Sequence, residues 1–177
     1  MGIYFLVMLG FNFFYIAFPI HAVTSLEWTV TETGVFFSVM SLLMVLVQGP
    51  LLVRLSKKCS DVALAVIGSC ILALSFAFYL SRSDATIYLG TALLALGNGL
   101  MWPSVMALLS KAAGEELQGA VQGFASSSGA VASILGLFLG GVLYGWLEAR
   151  VFLGSAAAIA AVFMMALRLA RMSVEPE

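Results

Sequence analysis

The chain has 177 residues, of which 62% are hydrophobic and 10% are charged, and its mean hydropathy is +1.09. Soluble domains carry about 25% charged residues, so this composition excludes a soluble enzyme, a disordered chain and a secreted disulfide scaffold. With a net charge of −1 and no basic patch, no nucleic-acid partner is expected. The sequence therefore predicts an integral membrane protein, whose surroundings are the lipid bilayer.

Charged residues divide the chain into apolar stretches, and five of them reach the roughly 20 residues that a helix needs to cross a membrane. The sixth stretch is shorter and gains Leu169 and Ala170 beyond Arg168. The sequence therefore predicts an all-α bundle of six transmembrane helices, forming one domain over residues 1–177. The predicted helices cover about residues 1–25, 32–54, 61–81, 85–110, 117–147 and 150–170.

Residues 1–21 are interpreted as part of the first helix. A cleaved signal peptide is the alternative, but this stretch lacks a positively charged start and a small-residue cleavage site.

Local signals mark where later helices begin. Thr29 and Glu32 have the spacing of a capping box, in which a hydroxyl and a carboxylate bind free backbone amides. The pairs Ser60-Asp61 and Ser83-Asp84 provide side-chain acceptors before the third and fourth helices.

The distribution of basic residues predicts how the bundle is oriented, because cytoplasmic loops carry an excess of Lys and Arg. Six basic residues fall on one side of the predicted bundle: Arg54, Lys57, Lys58, Lys111, Arg168 and Arg171. Only Arg82 and Arg150 fall on the other side. We therefore expect both termini in the cytoplasm.

The predicted helices contain few polar groups, and no Asp, Glu, Lys or Arg lies deep inside them. Buried charges in a membrane usually mark an ion path, so no residue here predicts proton coupling. Asn12, Gln48 and Asn98 are amides that bind either a neighbouring helix or a substrate, and the sequence leaves both readings open.

Small residues predict close helix packing in the fifth helix. Gly136 and Gly140 have the four-residue spacing that lets another helix approach, and Gly141 begins a second such pair. Gly123 lies earlier on the same helix.

Prolines predict kinks, since each lacks a backbone donor. Pro50 lies near the end of the second helix and Pro103 lies in the fourth, shortly after Gly97 and Gly99. The fourth helix is therefore interpreted either as statically kinked or as a bending gate.

The third and sixth helices lack strongly polar residues and are expected to be peripheral and lipid-facing, with the other four inside.

His21 is the only histidine, and Cys59 and Cys70 have no metal-site spacing, so no metal or cofactor is expected. His21 is interpreted as an interfacial polar residue. An intramembrane serine hydrolase using Ser126–Ser128 with His21 is an alternative that nothing in the spacing requires.

From Ala92 the chain runs ALLALGNGLMWPSVMALLSKAAGEELQGAVQGFASSSGAVASILGLFLGGVLYG. This segment resembles the tenth and eleventh helices of the major facilitator superfamily, in particular its tetracycline and multidrug-efflux branch of drug:proton antiporters. The segment from Gly34 to Gly49, followed by the basic residues Arg54, Lys57 and Lys58, resembles the eighth helix and its cytoplasmic loop.

The resemblance implies the C-terminal half of a two-bundle secondary transporter, in the plasma membrane and specifically a bacterial cytoplasmic membrane. It implies efflux of small amphipathic or drug-like molecules by alternating access. The expected substrate cavity is formed by five residues: Asn12, Tyr15, Gln48, Asn98 and Trp102. Its partner is expected to be an N-terminal six-helix half or a second copy. The alternative is an inactive truncated fragment, or a module that works only with such a partner.

Overall fold

The computed structural model describes residues 2–172, apart from the side chains of residues 115, 116, 169 and 172, and every element in that range is helical. Met1, where the first predicted helix starts, and residues 173–177 lie outside the described residues. The elements are α1 (Gly2–Ser25), α2 (Val30–Leu46), a π-helical turn (Val47–Leu51), α3 (Leu52–Leu55), α4 (Asp61–Ser75), a 3-10 turn (Phe76–Leu80), α5 (Asp84–Leu147), a second 3-10 turn (Glu148–Arg150) and α6 (Val151–Met172).

The chain reverses direction inside α5, where the sequence predicts a loop between two helices. Gly114 alone departs from helical geometry there, with φ 66° and ψ 172°. We call residues 84–113 α5a and residues 115–147 α5b. Because only one residue leaves the helical conformation, the connection is a tight corner and the two helices extend almost up to it.

Contacts between helices show which of them run parallel to each other. Along α2 and α5a, Phe36 packs on Tyr88, and Val47 lies beside Gly99, so these two helices are parallel. Along α1 and α5b, Tyr4 lies beside Gly129 and Ile16 beside Gly140, so these are also parallel. Ser25, Arg82 and Glu148 therefore lie at one end of the bundle, which we call the His21 end. Lys111 and Asp61 lie at the other, the Lys111 end.

The predicted caps are present at two helix starts and absent at the third. The Thr29 hydroxyl accepts from the Glu32 amide at 3.2 Å and the Glu32 carboxylate accepts from the Thr29 amide at 2.7 Å, which confirms the capping box. Ser60 accepts from the Ala63 amide at 3.2 Å, as predicted. Ser83 makes no capping bond with its side chain.

The Asp84 carboxylate serves another purpose. It accepts a hydrogen bond from the Trp28 indole nitrogen at 3.0 Å. This bond ties the connection between α1 and α2 to the start of α5.

α4, the third helix of the prediction, packs closely against α5a in this chain. In the apolar window of Asp61–Leu80, 44% of the residues are buried, against 11% for Val30–Leu55, which contains α2. The reason is a close crossing of α4 and α5a at two glycines. A Cβ on Gly68 would lie 2.7 Å from the Gly97 carbonyl oxygen, and a Cβ on Gly97 would lie 2.5 Å from the Leu72 amide nitrogen. Gly97 therefore lies at a close contact between the backbones of α4 and α5a.

An aromatic core fills the His21 half of the bundle. Its fully buried rings come from four elements: Phe14, Phe18, Phe36, Phe76, Tyr79 and Phe152. The Phe18 ring stacks on Phe36 with centroids 4.1 Å apart, and Phe14 lies 4.9 Å from Tyr79. The aromatic residues of the first helix are thus divided between this core and the outside.

The described residues contain five helical stretches long and apolar enough to cross a membrane. The last of them, Leu117–Arg168, is 52 residues long and joins α5b to α6. The 3-10 turn Glu148–Arg150 interrupts it. Glu148, the first residue of this turn, has a φ of 49°, and α5b ends just before it. All-helical architecture with several apolar spans agrees with an integral, multi-pass membrane protein.

Candidate functional site

A cavity of about 340 Å³ opens between α1, α5a and α5b. Its lining is Val7, Met8, Phe11, Asn12, Tyr15, Asn98, Trp102 and Ser133. Four of the five residues predicted to form a substrate cavity, Asn12, Tyr15, Asn98 and Trp102, therefore surround one space. The fifth, Gln48, does not line it.

Asn12 joins α1 to α5b at the cavity wall. Its amide nitrogen donates to the Met8 carbonyl oxygen at 2.7 Å and to the Ser133 hydroxyl at 3.0 Å. The helices can meet this closely because Gly136 faces Asn12, and a Cβ on Gly136 would lie 2.6 Å from the Asn12 Cβ. Among the described residues no partner binds the Asn12 carbonyl oxygen, which leaves an acceptor for a ligand.

Asn98 and Trp102 lie one helical turn apart on the same face of α5a. Among residues 2–172, the Met44 sulfur is the one partner of the Asn98 amide nitrogen, at 3.7 Å. A thioether is a weak acceptor, so a ligand oxygen would bind this amide more strongly than Met44 does. The Trp102 ring packs against Tyr4 with centroids 5.1 Å apart, which fixes its position beside the cavity.

Tyr15 forms the more open wall of the cavity. Its side chain is 42% exposed, and its ring stacks between Phe11 and Phe37 with centroid distances of 6.0 and 6.2 Å. The cavity thus combines aromatic faces with a few amide and hydroxyl groups. Such a lining suits a partly apolar ligand that makes one or two hydrogen bonds.

Gln48 lies outside the cavity because of the local backbone. The π-helical turn Val47–Leu51 contains both Gln48 and Pro50, and its wider winding accommodates the missing proline donor. Gln48 is exposed there. Its Cγ lies 3.6 Å from the position of a Cβ on Gly99, so it packs near α5a without facing the ligand space.

Ser133 was not among the predicted site residues. The sequence indicates its location through spacing, because Gly129, Ser133, Gly136 and Gly140 lie on one face of α5b. The glycines on that face contact α1, so the hydroxyl between them had to meet α1 as well.

The glycines predicted for packing differ in their surroundings. Gly136 and Gly140 lie where α5b crosses α1, and a Cβ on Gly140 would lie 2.5 Å from the Ile16 side chain. Gly141 is at the edge, 4.0 Å from Ile16 by the same measure. Among the described residues, no heavy atom lies within 4 Å of a Cβ position on Gly123.

Pro103 remains inside α5a without breaking it, and its ring lies in a second small groove between α5a and α4. The basic residues Arg54, Lys57 and Lys58 are exposed at the Lys111 end. At that end the Lys111 ammonium also pairs with the Asp61 carboxylate at 2.6 Å.

The residues of the hydrolase alternative do not meet. His21, predicted to be an interfacial polar residue, is 2% exposed at one end of the bundle, and its Nδ1 pairs with the Tyr144 hydroxyl at 3.1 Å. Ser128 lies 16 residues before Tyr144 on α5b, about 24 Å away along a helix. Ser127 donates to the Gly123 carbonyl oxygen. This geometry excludes a catalytic contact between His21 and the serine run.

A family model described as Major Facilitator Superfamily matches residues 1–177. The chain belongs to the major facilitator superfamily. Its members are membrane transport proteins, so membership implies that this chain functions in transport across a membrane. Among curated proteins, no individual sequence matches the chain.

Proposed function

We propose that the chain is the C-terminal six-helix half of a secondary transporter that exports small amphipathic or drug-like molecules by alternating access. The observation that carries this proposal is the convergence of Asn12, Tyr15, Asn98 and Trp102 on one cavity of about 340 Å³. Aromatic walls with few hydrogen-bonding groups favour broad specificity for partly apolar ligands.

The proposed membrane arrangement has six spans. Leu117–Arg168, at 52 residues, is far longer than the roughly 20 that one crossing needs, and Glu148–Arg150 interrupts it where a loop is required. We therefore count α5b and α6 as separate crossings. The six basic residues at the Lys111 end support a cytoplasmic location for both termini, and we propose a plasma membrane of the bacterial type.

The exposed apolar surface of α2 supports a partner bundle. Leu42, Val45 and Leu46 are 61%, 66% and 52% exposed, and α2 contributes little to the core of this chain. In the proposal an N-terminal half, or a second copy, faces the cavity from that side. The alternative is that the chain by itself is inactive, as a fragment or a module that requires such a partner.

A transport assay tests the proposal and separates it from the alternative. Purified chain in proteoliposomes is assayed for uptake of a fluorescent amphipathic cation such as ethidium, and its oligomeric state is measured by light scattering. Uptake that Trp102→Ala reduces and Leu74→Ala leaves unchanged supports transport through the cavity. Leu74 is the control because it is 62% exposed on α4, away from the cavity.

The remaining outcomes are also informative. Absence of uptake by a monomeric chain supports the partner-requiring alternative. Uptake that is equal in wild type and Trp102→Ala contradicts the assignment of the cavity as the substrate site.

A further inference from the structure

A second, more polar cavity of about 410 Å³ lies at the His21 end, between the end of α1, the 3-10 turn after α4, and the end of α5b with the 3-10 turn Glu148–Arg150. The residues that matter in its lining are His21, Ser25, Arg82, Trp146, Glu148 and Arg150. None of them lines the cavity described above, so this is a separate site.

Arg82 and Arg150 are the two basic residues at this end of the bundle, and both line this cavity. Within residues 2–172 neither forms an ion pair. A guanidinium group presents a fixed fork of donors that matches the oxygens of a phosphate. Two guanidinium groups without an ion-pair partner among the described residues line one cavity, and this arrangement favours binding of such an anion.

His21 adds a buried ring nitrogen to the same wall. Its Nδ1 pairs with the Tyr144 hydroxyl at 3.1 Å, while its Nε2 has no hydrogen-bond partner among the described residues. When the tyrosine hydroxyl donates to Nδ1, the neutral ring carries its proton on Nε2. In that tautomer the buried Nε2–H lacks an acceptor, which is unfavourable, and a bound anion would supply one.

Charge is distributed unevenly over this end. Glu148 also lines the cavity, so two guanidinium groups face one carboxylate and the balance is positive. A neighbouring cavity of about 520 Å³ shares Arg82 and Glu148 and adds Glu27, which makes it acidic. An anion is therefore directed to the Arg150 side.

Trp146 forms the rim and is 83% exposed. Tryptophan at the end of an apolar helix is typical of the membrane–water interface. The cavity thus combines two exposed guanidinium groups with an apolar rim at the depth of lipid headgroups.

We propose that this cavity binds a phosphate group, with Arg82 and Arg150 holding its oxygens. The same chemistry is offered by two sources, a phospholipid headgroup and a free phosphate ester. The site does not depend on the transport proposal.

Native mass spectrometry of the purified full chain tests the proposal with phosphatidylglycerol as the probe. The Arg82→Gln/Arg150→Gln variant is expected to bind about tenfold more weakly, because two charge-assisted contacts are lost. The matched control Arg168→Gln/Arg171→Gln removes the same charge at the Lys111 end and is expected to change binding less than about twofold. The proposal is overturned if both double variants weaken phosphatidylglycerol binding equally, or if neither of them weakens it.

Calorimetry with glycerol 3-phosphate identifies the source. Binding that depends on Arg82 and Arg150 indicates a water-soluble ester, and dependence seen only with phosphatidylglycerol indicates a lipid. Both outcomes support the site.

A second variant keeps the test valid if the double variant does not fold. Glu148→Gln removes the opposing carboxylate and is expected to bind phosphatidylglycerol about threefold more tightly. Unchanged or weaker binding by this variant overturns the proposal, and misfolding cannot imitate the expected gain.

Discussion

At the scale of single side chains, the aromatic residues of α1 divide into two sets with different surroundings. Phe14 and Phe18 are fully buried in the aromatic core, whereas Tyr15 is 42% exposed and lines the candidate substrate cavity. The sequence predicts a helix here but not this division, because aromatic residues surround the whole helix. Because α1 has no polar face opposite an apolar one, hydrophobic periodicity does not indicate which side of this helix is buried.

The core set yields a prediction at Phe18. Its ring contacts Phe36, Tyr79 and Trp28 at centroid distances of 4.1, 5.4 and 5.9 Å. Phe18→Ala is expected to lower the free energy of unfolding by about 3 kcal/mol, since the cavity left behind loses these contacts.

The measurement is unfolding in mixed detergent micelles. Phe138→Ala is the matched control, because Phe138 is 68% exposed, and it is expected to change stability by less than about 1 kcal/mol. Similar losses for the two variants would show that the aromatic core does not hold the bundle together.

Amide side chains were easier to predict than aromatic ones. Asn12 and Asn98 stand out in apolar helices, and polar groups in such helices find a cavity or another helix. Gln48 met the same criterion and does not reach the cavity, because the π-helical turn at Pro50 alters its direction. A sequence pattern assumes regular winding, so it misplaces a residue wherever the helix changes type.

At the scale of the elements, the crossing of α4 and α5a depends on glycine. A Cβ on Gly97 would lie 2.5 Å from a backbone nitrogen of α4, which has no flexible end to move aside. Gly97→Ala is therefore expected to lower the free energy of unfolding by about 2 kcal/mol through overpacking.

Gly119→Ala is the control for this prediction, because no heavy atom lies within 4 Å of a Cβ at Gly119. Its stability is expected to be unchanged or raised by up to about 1 kcal/mol. If Gly97→Ala behaves like Gly119→Ala, the close crossing is absent in the folded protein.

The corner at Gly114 depends on glycine for a different reason. Its Cβ position is open, but its φ of 66° and ψ of 172° lie in a region that residues with a Cβ avoid. Gly114→Ala is expected to cost about 1–3 kcal/mol in the same unfolding assay. A cost no larger than that of Gly119→Ala would show that the corner has another geometry.

The charge-free stretches predicted where helices lie but not how α5a and α5b are joined. The sequence between Lys111 and Leu117 contains two acidic residues and suggests a loop. In the structure one glycine makes the turn, and the acidic residues continue the helix. Likewise, the sequence does not predict the close packing of α4 against α5a, because the position of Gly68 opposite Gly97 is visible only once the helices are paired.

At the scale of the whole molecule, the proposed six spans predict which positions face each side of the membrane. Single cysteines are placed in a Cys59→Ser/Cys70→Ser background at Ser83 and Ala149 on the His21 end, and at Lys57 and Ala112 on the Lys111 end. A membrane-impermeant maleimide is expected to label the first pair in intact cells and the second pair only after permeabilisation.

This labelling pattern follows from the positive-inside rule and from the two crossings proposed within Leu117–Arg168. Accessibility of Ala149 and Ala112 from the same side would contradict the separate crossing of α5b. Reversed labelling of the two pairs would contradict a cytoplasmic location for the termini.

The central claim is that the cavity of α1, α5a and α5b binds the molecule that the transporter moves. Its most direct test is equilibrium binding of ethidium to the purified chain, followed by fluorescence polarisation, since binding does not require a partner half. We expect Trp102→Ala and Asn98→Ala each to weaken binding by about threefold to tenfold, through loss of ring stacking and of an amide oxygen that can accept from an ethidium amino group. Leu74→Ala is expected to bind like wild type. Equal affinity for ethidium in all four proteins would contradict the account.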